Sequence, residues 1–98
     1  MDKQHTPLTD AFRALGDATR FKLVSLLLEE RNICVSELAD EVNISVAGVS
    51  QQLKILEQAN IIERVREGQR ICYKVNLDDP NNKKIIDLMQ ANSEPAKS

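Results

Sequence analysis

The run Val35-Ser36-Glu37-Leu38-Ala39-Asp40-Glu41-Val42-Asn43-Ile44-Ser45-Val46-Ala47-Gly48-Val49-Ser50-Gln51-Gln52-Leu53-Lys54-Ile55-Leu56 decides how the rest of the chain is read. Val35, Leu38, Ala39 and Val42 recur at the spacing of one helix face. Ser36 is the expected cap of that helix. Asn43-Ile44 leaves room only for a turn. Ser45 then stands where a side-chain oxygen can accept an orphan backbone N–H and open a second helix. The inner face of that helix is expected to hold Val46, Val49, Leu53 and Leu56.

Upstream, Leu8, Ala11, Phe12 and Leu15 share one face of a first helix, which Gly16 stops. Asp17 is a good cap for the next helix, which is expected to bury Phe21, Val24, Leu27 and Leu28 and to end at the polar Glu29-Glu30-Arg31-Asn32. Downstream the period changes. Ile71, Tyr73 and Val75 alternate with Arg70, Cys72 and Lys74, the pattern of a half-buried strand, and Ile62-Glu63-Arg64-Val65-Arg66 is its partner. Glu67-Gly68-Gln69 separates them, and Gly68 can take the positive φ of a tight hairpin. Pro80 suits the first position of a last helix, capped by Asp79 and carrying Ile85, Ile86, Leu88 and Met89. The expected fold is mainly α: four helices, a two-stranded hairpin and a C-terminal helix. That is the layout of a winged helix-turn-helix.

The chain has 98 residues, 42% hydrophobic and 29% charged, with 13 Lys+Arg against 15 Asp+Glu. One domain over 1–98 is expected, with its core within 8–90 and polar, frayed ends. No apolar run approaches the ~20 residues of a membrane span, so no membrane association is expected. The opening residues lack the apolar stretch of a secretory leader. Together with only two cysteines, this predicts a reducing, cytoplasmic setting and argues against a disulfide scaffold. No phosphate-binding loop, nucleophile–His pair or metal-ligand cluster is present, so neither an enzyme nor a cofactor is expected.

The net charge of −2 requires any nucleic-acid reading to find its positive charge locally. On the helix 45–59, Ala47, Gln51 and Gln58 lie opposite the apolar stripe. Gly48 and Lys54 flank them, and Ser50 and Gln52 lie at the edges. This face holds no acid until Glu57. Gln can offer adenine a donor and an acceptor together, and Lys can pair with phosphate or guanine. Ser45 adds the N–H groups of a helix start, which suit a phosphate. The hairpin 62–75 supplies Arg64, Arg66, Arg70 and Lys74, with Gln69 in its turn, opposed only by Glu63 and Glu67. Small polar residues also solvate any exposed helix face, and a charged hairpin also serves solubility. Gly48 fits a close approach of DNA or a packing need.

Four stretches resemble the ArsR/SmtB family of homodimeric winged-helix repressors. They are Ala14-Leu15-Gly16-Asp17-Ala18-Thr19-Arg20, Val35-Ser36-Glu37-Leu38-Ala39, Val49-Ser50-Gln51-Gln52-Leu53-Lys54-Ile55-Leu56 and Arg66-Glu67-Gly68-Gln69-Arg70-Ile71-Cys72-Tyr73. The resemblance implies DNA contacts centred on Ser50, Gln51 and Gln52, and a two-fold pairing of copies would place these on a palindromic operator. Gln52 stands where His is commonest, Asn60-Ile61 where Gly-Leu is usual, and Gly48 where Thr, Asn or Ala is common. The family's effector sites are not reproduced. Cys34-Val35-Ser36 keeps one Cys of a Cys-x-Cys pair, the last helix has no His, and Ser25 and the Ser93 region replace a thiol pair. Cys34, expected to be packed at the start of the third helix, and Cys72, expected to face outward on the hairpin, remain as a possible thiol or metal sensor, with His5 as a helper. Inert structural cysteines are the competing reading. The effector is left open.

The partners expected are double-stranded DNA and a second copy of the chain. Phe12, Leu15, Ile85, Ile86 and Met89 would join two copies through the first and last helices, since the last helix is apolar on more than one face. The alternative function is a winged-helix protein-interaction module without DNA binding. The acid-free helix face and the basic hairpin speak against it.

Overall fold

The computed structural model describes residues 7–30 and 33–91. The expected frayed ends, His5 and the Ser93 region lie outside these residues. In chain order the elements are α1 (Pro7–Leu15), α2 (Ala18–Glu29), β1 (Ile33–Cys34), α3 (Val35–Val42), α4 (Val46–Gln58), β2 (Ile62–Glu67), β3 (Arg70–Val75) and α5 (Pro80–Ala91). This is the expected winged helix-turn-helix, with one addition: β1 joins the hairpin to make an antiparallel sheet of order β1-β3-β2.

The helix boundaries follow from caps. The Asp17 carboxylate accepts the Arg20 N–H at 3.1 Å, and Ser45 Oγ accepts that of Gly48 at 3.0 Å. Asp79 Oδ1 accepts the Asn81 N–H at 2.8 Å, just behind Pro80. Asn43 ends α3 at φ 59°, and Asn60 follows α4 at φ 65°, a left-handed conformation that Asn tolerates better than most residues. This accounts for Asn60 standing where the resembled family has Gly. Gly68 takes φ 64° in the hairpin turn, as expected. Ser36 does not cap α3. Cys34 occupies the cap position, and its N–H donates to Glu37 Oε1 at 2.9 Å, because β1 carries the chain straight into the helix.

The core joins Leu23, Val24, Leu38, Val49, Leu53 and Leu56, all with no exposed surface, to Ile61, Ile62, Tyr73, Ile85 and Ile86. Some expected inward residues point elsewhere. Phe21 and Val46 are exposed at 43% and 52%, and α2 buries Leu23 and Leu26 in place of Phe21. Phe12 and Leu8 are exposed too, so α1 meets the core through Ala11, Ala14 and Leu15.

Cys72 does not face outward. It is fully buried on β3, the central strand, although Arg70 and Lys74 on the same face are exposed. It lies in register with Cys34 across β1, and the two sulfur atoms are bonded as a disulfide. The expectation of two unpaired thiols is thereby corrected. No local signal marks a partner 38 residues away. Cys34 itself is packed at the start of α3, as expected.

A second polar feature closes the wing onto α5. Asn82, 3% exposed, donates through Nδ2 to the Asn60 carbonyl at 2.7 Å and the Asn76 carbonyl at 2.9 Å. Asn60 Nδ2 in turn donates to Asp79 Oδ2 at 3.3 Å. The end of α4, the end of β3 and the start of α5 thus share one hydrogen-bond network.

Candidate nucleic-acid interface

α4 presents two chemically distinct sides. Val49, Leu53 and Leu56 are buried, whereas Ser45, Ala47, Ser50, Gln51, Lys54 and Gln58 are exposed. The sequence assigned these positions to the outer face, and the helix places them there. Val46 joins them, although periodicity put it inside. As the first residue of the helix, it lies beyond the reach of the core that covers Val49. Its apolar side chain beside Ala47 is suited to a thymine methyl group.

Gly48 is half-buried, and a Cβ built on it would lie 3.2 Å from Ser45 Oγ and 3.5 Å from Ile44 Cδ1. The tight fit to its own cap supplies a packing reason for glycine in the first turn. Glu57 is the only acid on α4, and Arg64 of β2 donates to it through Nη2 at 3.3 Å. That hydrogen bond raises the already high affinity of the Arg64 guanidinium for its proton. Arg64 thus offsets the one acid of α4, while its own side chain stays half exposed. Arg66, Gln69 and Arg70 project from the exposed end of the hairpin.

Gln52 differs from its neighbours. It is half-buried, and its Oε1 accepts from Arg20 Nη1 at 2.8 Å. Arg20 is held by a further bond from its Nε to the Ala14 carbonyl at 2.7 Å. Sequence reading did not place Arg20 at this site, since its partner is 32 residues away.

On the opposite elements, Phe12, Leu15, Gly16, Phe21, Ile85, Leu88 and Met89 line an apolar cleft of about 280 Å³. Leu15, Ile85 and Ile86 are consumed by the chain's own core. Phe12 and Leu88 remain exposed at 54% and 59%, and Met89 is half-buried. No described helix is long and apolar enough to cross a membrane.

Residues 17–64 match the model described as bacterial regulatory protein, arsR family. The transcriptional repressor SdpR of Bacillus subtilis is 36% identical over 70% of this chain and 76% of its own length. The cadmium resistance transcriptional regulatory protein CadC of Listeria innocua is 30% identical over 81% of this chain, which spans only 62% of that protein. Among solved structures, HlyU from Vibrio cholerae superposes with a TM-score of 0.77, covering 93% of this chain and 96% of its own at 22% identity. With the capped helix-turn-helix, the hairpin wing and these relatives in agreement, the chain belongs to the ArsR family of bacterial regulatory proteins.

Proposed function

We propose that the chain is a sequence-specific DNA-binding transcriptional repressor, one domain over 1–98, acting in the cytoplasm as a homodimer on a palindromic operator. The carrying observation is the exposed face of α4. It offers Ser50, Gln51 and Lys54 to solvent, and its one acid, Glu57, is neutralised by Arg64. A helix of this character fits the major groove, with Ser45, Ala47, Gly48 and Gln52 around the contact. Arg66, Gln69 and Arg70 of the wing meet phosphates, and the charge of Arg64 is shared with Glu57. Relatives named as repressors support the direction of control. The exposed Phe12 and Leu88 support pairing through α1 and α5, which would set two recognition helices ~34–36 Å apart.

Selection from a pool of random duplexes tests this. The proposal expects an enriched inverted repeat bound in a salt-dependent manner. Failure to enrich any duplex, together with salt-independent retention, would instead favour a protein-interaction module.

A second reading, a thiol-responsive repressor, is favoured by the cross-strand Cys34–Cys72 pair, which ties the strand leading into α3 to the central wing strand. Closing the bond from two thiols releases two protons and passes two electrons to an oxidant such as a small disulfide. Operator affinity measured before and after dithiothreitol, with Cys34→Ser as the control, tests it. A change in the parent protein that is absent from the variant supports the reading, and identical affinities in both states contradict it.

A further inference from the structure

The Arg20–Gln52 contact restricts what the recognition helix can read. A guanidinium has donors and no acceptor, so the Gln52 atom facing Arg20 at 2.8 Å has to be the amide oxygen. This assignment is fixed by chemistry. The guanidinium cannot turn away freely, because its Nε is bonded to the Ala14 carbonyl at 2.7 Å. The Arg20 backbone N–H is held by the Asp17 cap at 3.1 Å. The carbonyl of Ala14, near the end of α1, and the cap of α2 thus set the position of a side chain on α4.

We infer that Arg20 is a specificity-determining positioning residue, which turns the amide donors of Gln52 toward an acceptor edge in the major groove, best met by the paired N7 and O6 of guanine. This rests on the DNA-binding reading above. A free glutamine offers adenine both an acceptor and a donor. Gln52 has its oxygen turned to Arg20, which takes one of its two lone pairs, and its Nε2 hydrogens have no partner among the described residues. Cytosine, which shows only a donor in the major groove, is rejected; adenine N7 and thymine O4 each accept one bond, and adenine loses the bidentate arrangement that would distinguish it. Gln51 is exposed on the same helix and carries no such restriction, so the two adjacent glutamines read differently.

The test uses the full chain and the duplex it selects from a random pool, with every base pair of one half-site then substituted in turn. The parent protein should prefer guanine at one position by about ten-fold over cytosine, with adenine and thymine between them. Arg20→Met should shift that position, and no other, toward adenine. Arg20 also holds α1, so Gln52→Glu serves as the second variant. It keeps a partner for Arg20 and removes the amide donors, and it should lose the guanine preference while retaining the parent's melting temperature. An unchanged base preference in Gln52→Glu, or in a folded Arg20→Met, overturns the inference and leaves DNA binding intact. Absence of any selected duplex for the parent protein overturns both.

Discussion

Arg70, the first residue of β3, reaches back to α3, where its Nη2 lies 3.7 Å from Glu37 Oε1. The same carboxylate oxygen accepts the Cys34 N–H at 2.9 Å. One acid therefore ties the wing to the start of the helix-turn-helix. Both side chains are more than half exposed, so the pair is worth no more than ~1 kcal/mol and a phosphate can compete for the guanidinium. Arg70→Ala should weaken binding to every duplex and lower the salt slope by about one unit. Glu37→Gln keeps an acceptor for Cys34 and frees Arg70, so it should strengthen binding at low salt. Titrations across a range of KCl concentrations measure both. A slope that Arg70→Ala leaves unaltered would take the wing out of the interface.

Gln51 is exposed on the acid-free face of α4, whereas Gln52 is half-buried beside Arg20. Gln51→Ala should cost about 1–3 kcal/mol on the selected duplex and little on unrelated DNA. Equal losses on both would mean that Gln51 contacts the backbone without reading bases.

Pairing of two copies is best probed at Phe12 and Leu88, which the fold leaves exposed. Phe12→Glu and Leu88→Glu should each give a folded monomer by sedimentation at micromolar concentration, with operator affinity much reduced. Ile86 is unsuitable for this purpose, because it is 4% exposed in a single chain and a glutamate there would disrupt the core. A parent protein that sediments as a monomer would sink the dimer.

Asn82 supports two carbonyl groups that nothing apolar could satisfy. Asn82→Ala should destabilise the fold by about 1–3 kcal/mol in urea unfolding, since acceptors of Asn60 and Asn76 lose a buried donor. A midpoint equal to the parent's would show that water replaces the amide.

Elements with strong local signals were legible in the sequence. Ser45, Asp17 and Asp79 each cap the helix they were expected to cap, and Gly68 turns the hairpin. The outer face of α4 follows directly from its period. Relationships across the chain were not legible. β1 is two residues long, too short for any periodic signal, and it changes the burial of Cys72 by making β3 a central strand. Arg20 meets Gln52 and Cys34 meets Cys72 through tertiary folding alone. On α2, apolar residues run almost all round the helix, so spacing could not decide between Phe21 and Leu23 for the core. Phe12 shows the other limit. Its spacing marks an apolar face, and the described residues of the chain leave Phe12 54% exposed.

Sequence readout by the exposed face of α4 is measured by the ratio of dissociation constants for the selected duplex and a base-scrambled duplex of equal length and salt. A ratio of at least ~10³ is expected for the parent chain, falling about ten-fold or more in Gln51→Ala with the scrambled-duplex affinity unchanged. A parent ratio near unity, or a ratio that Gln51→Ala leaves intact, would contradict it.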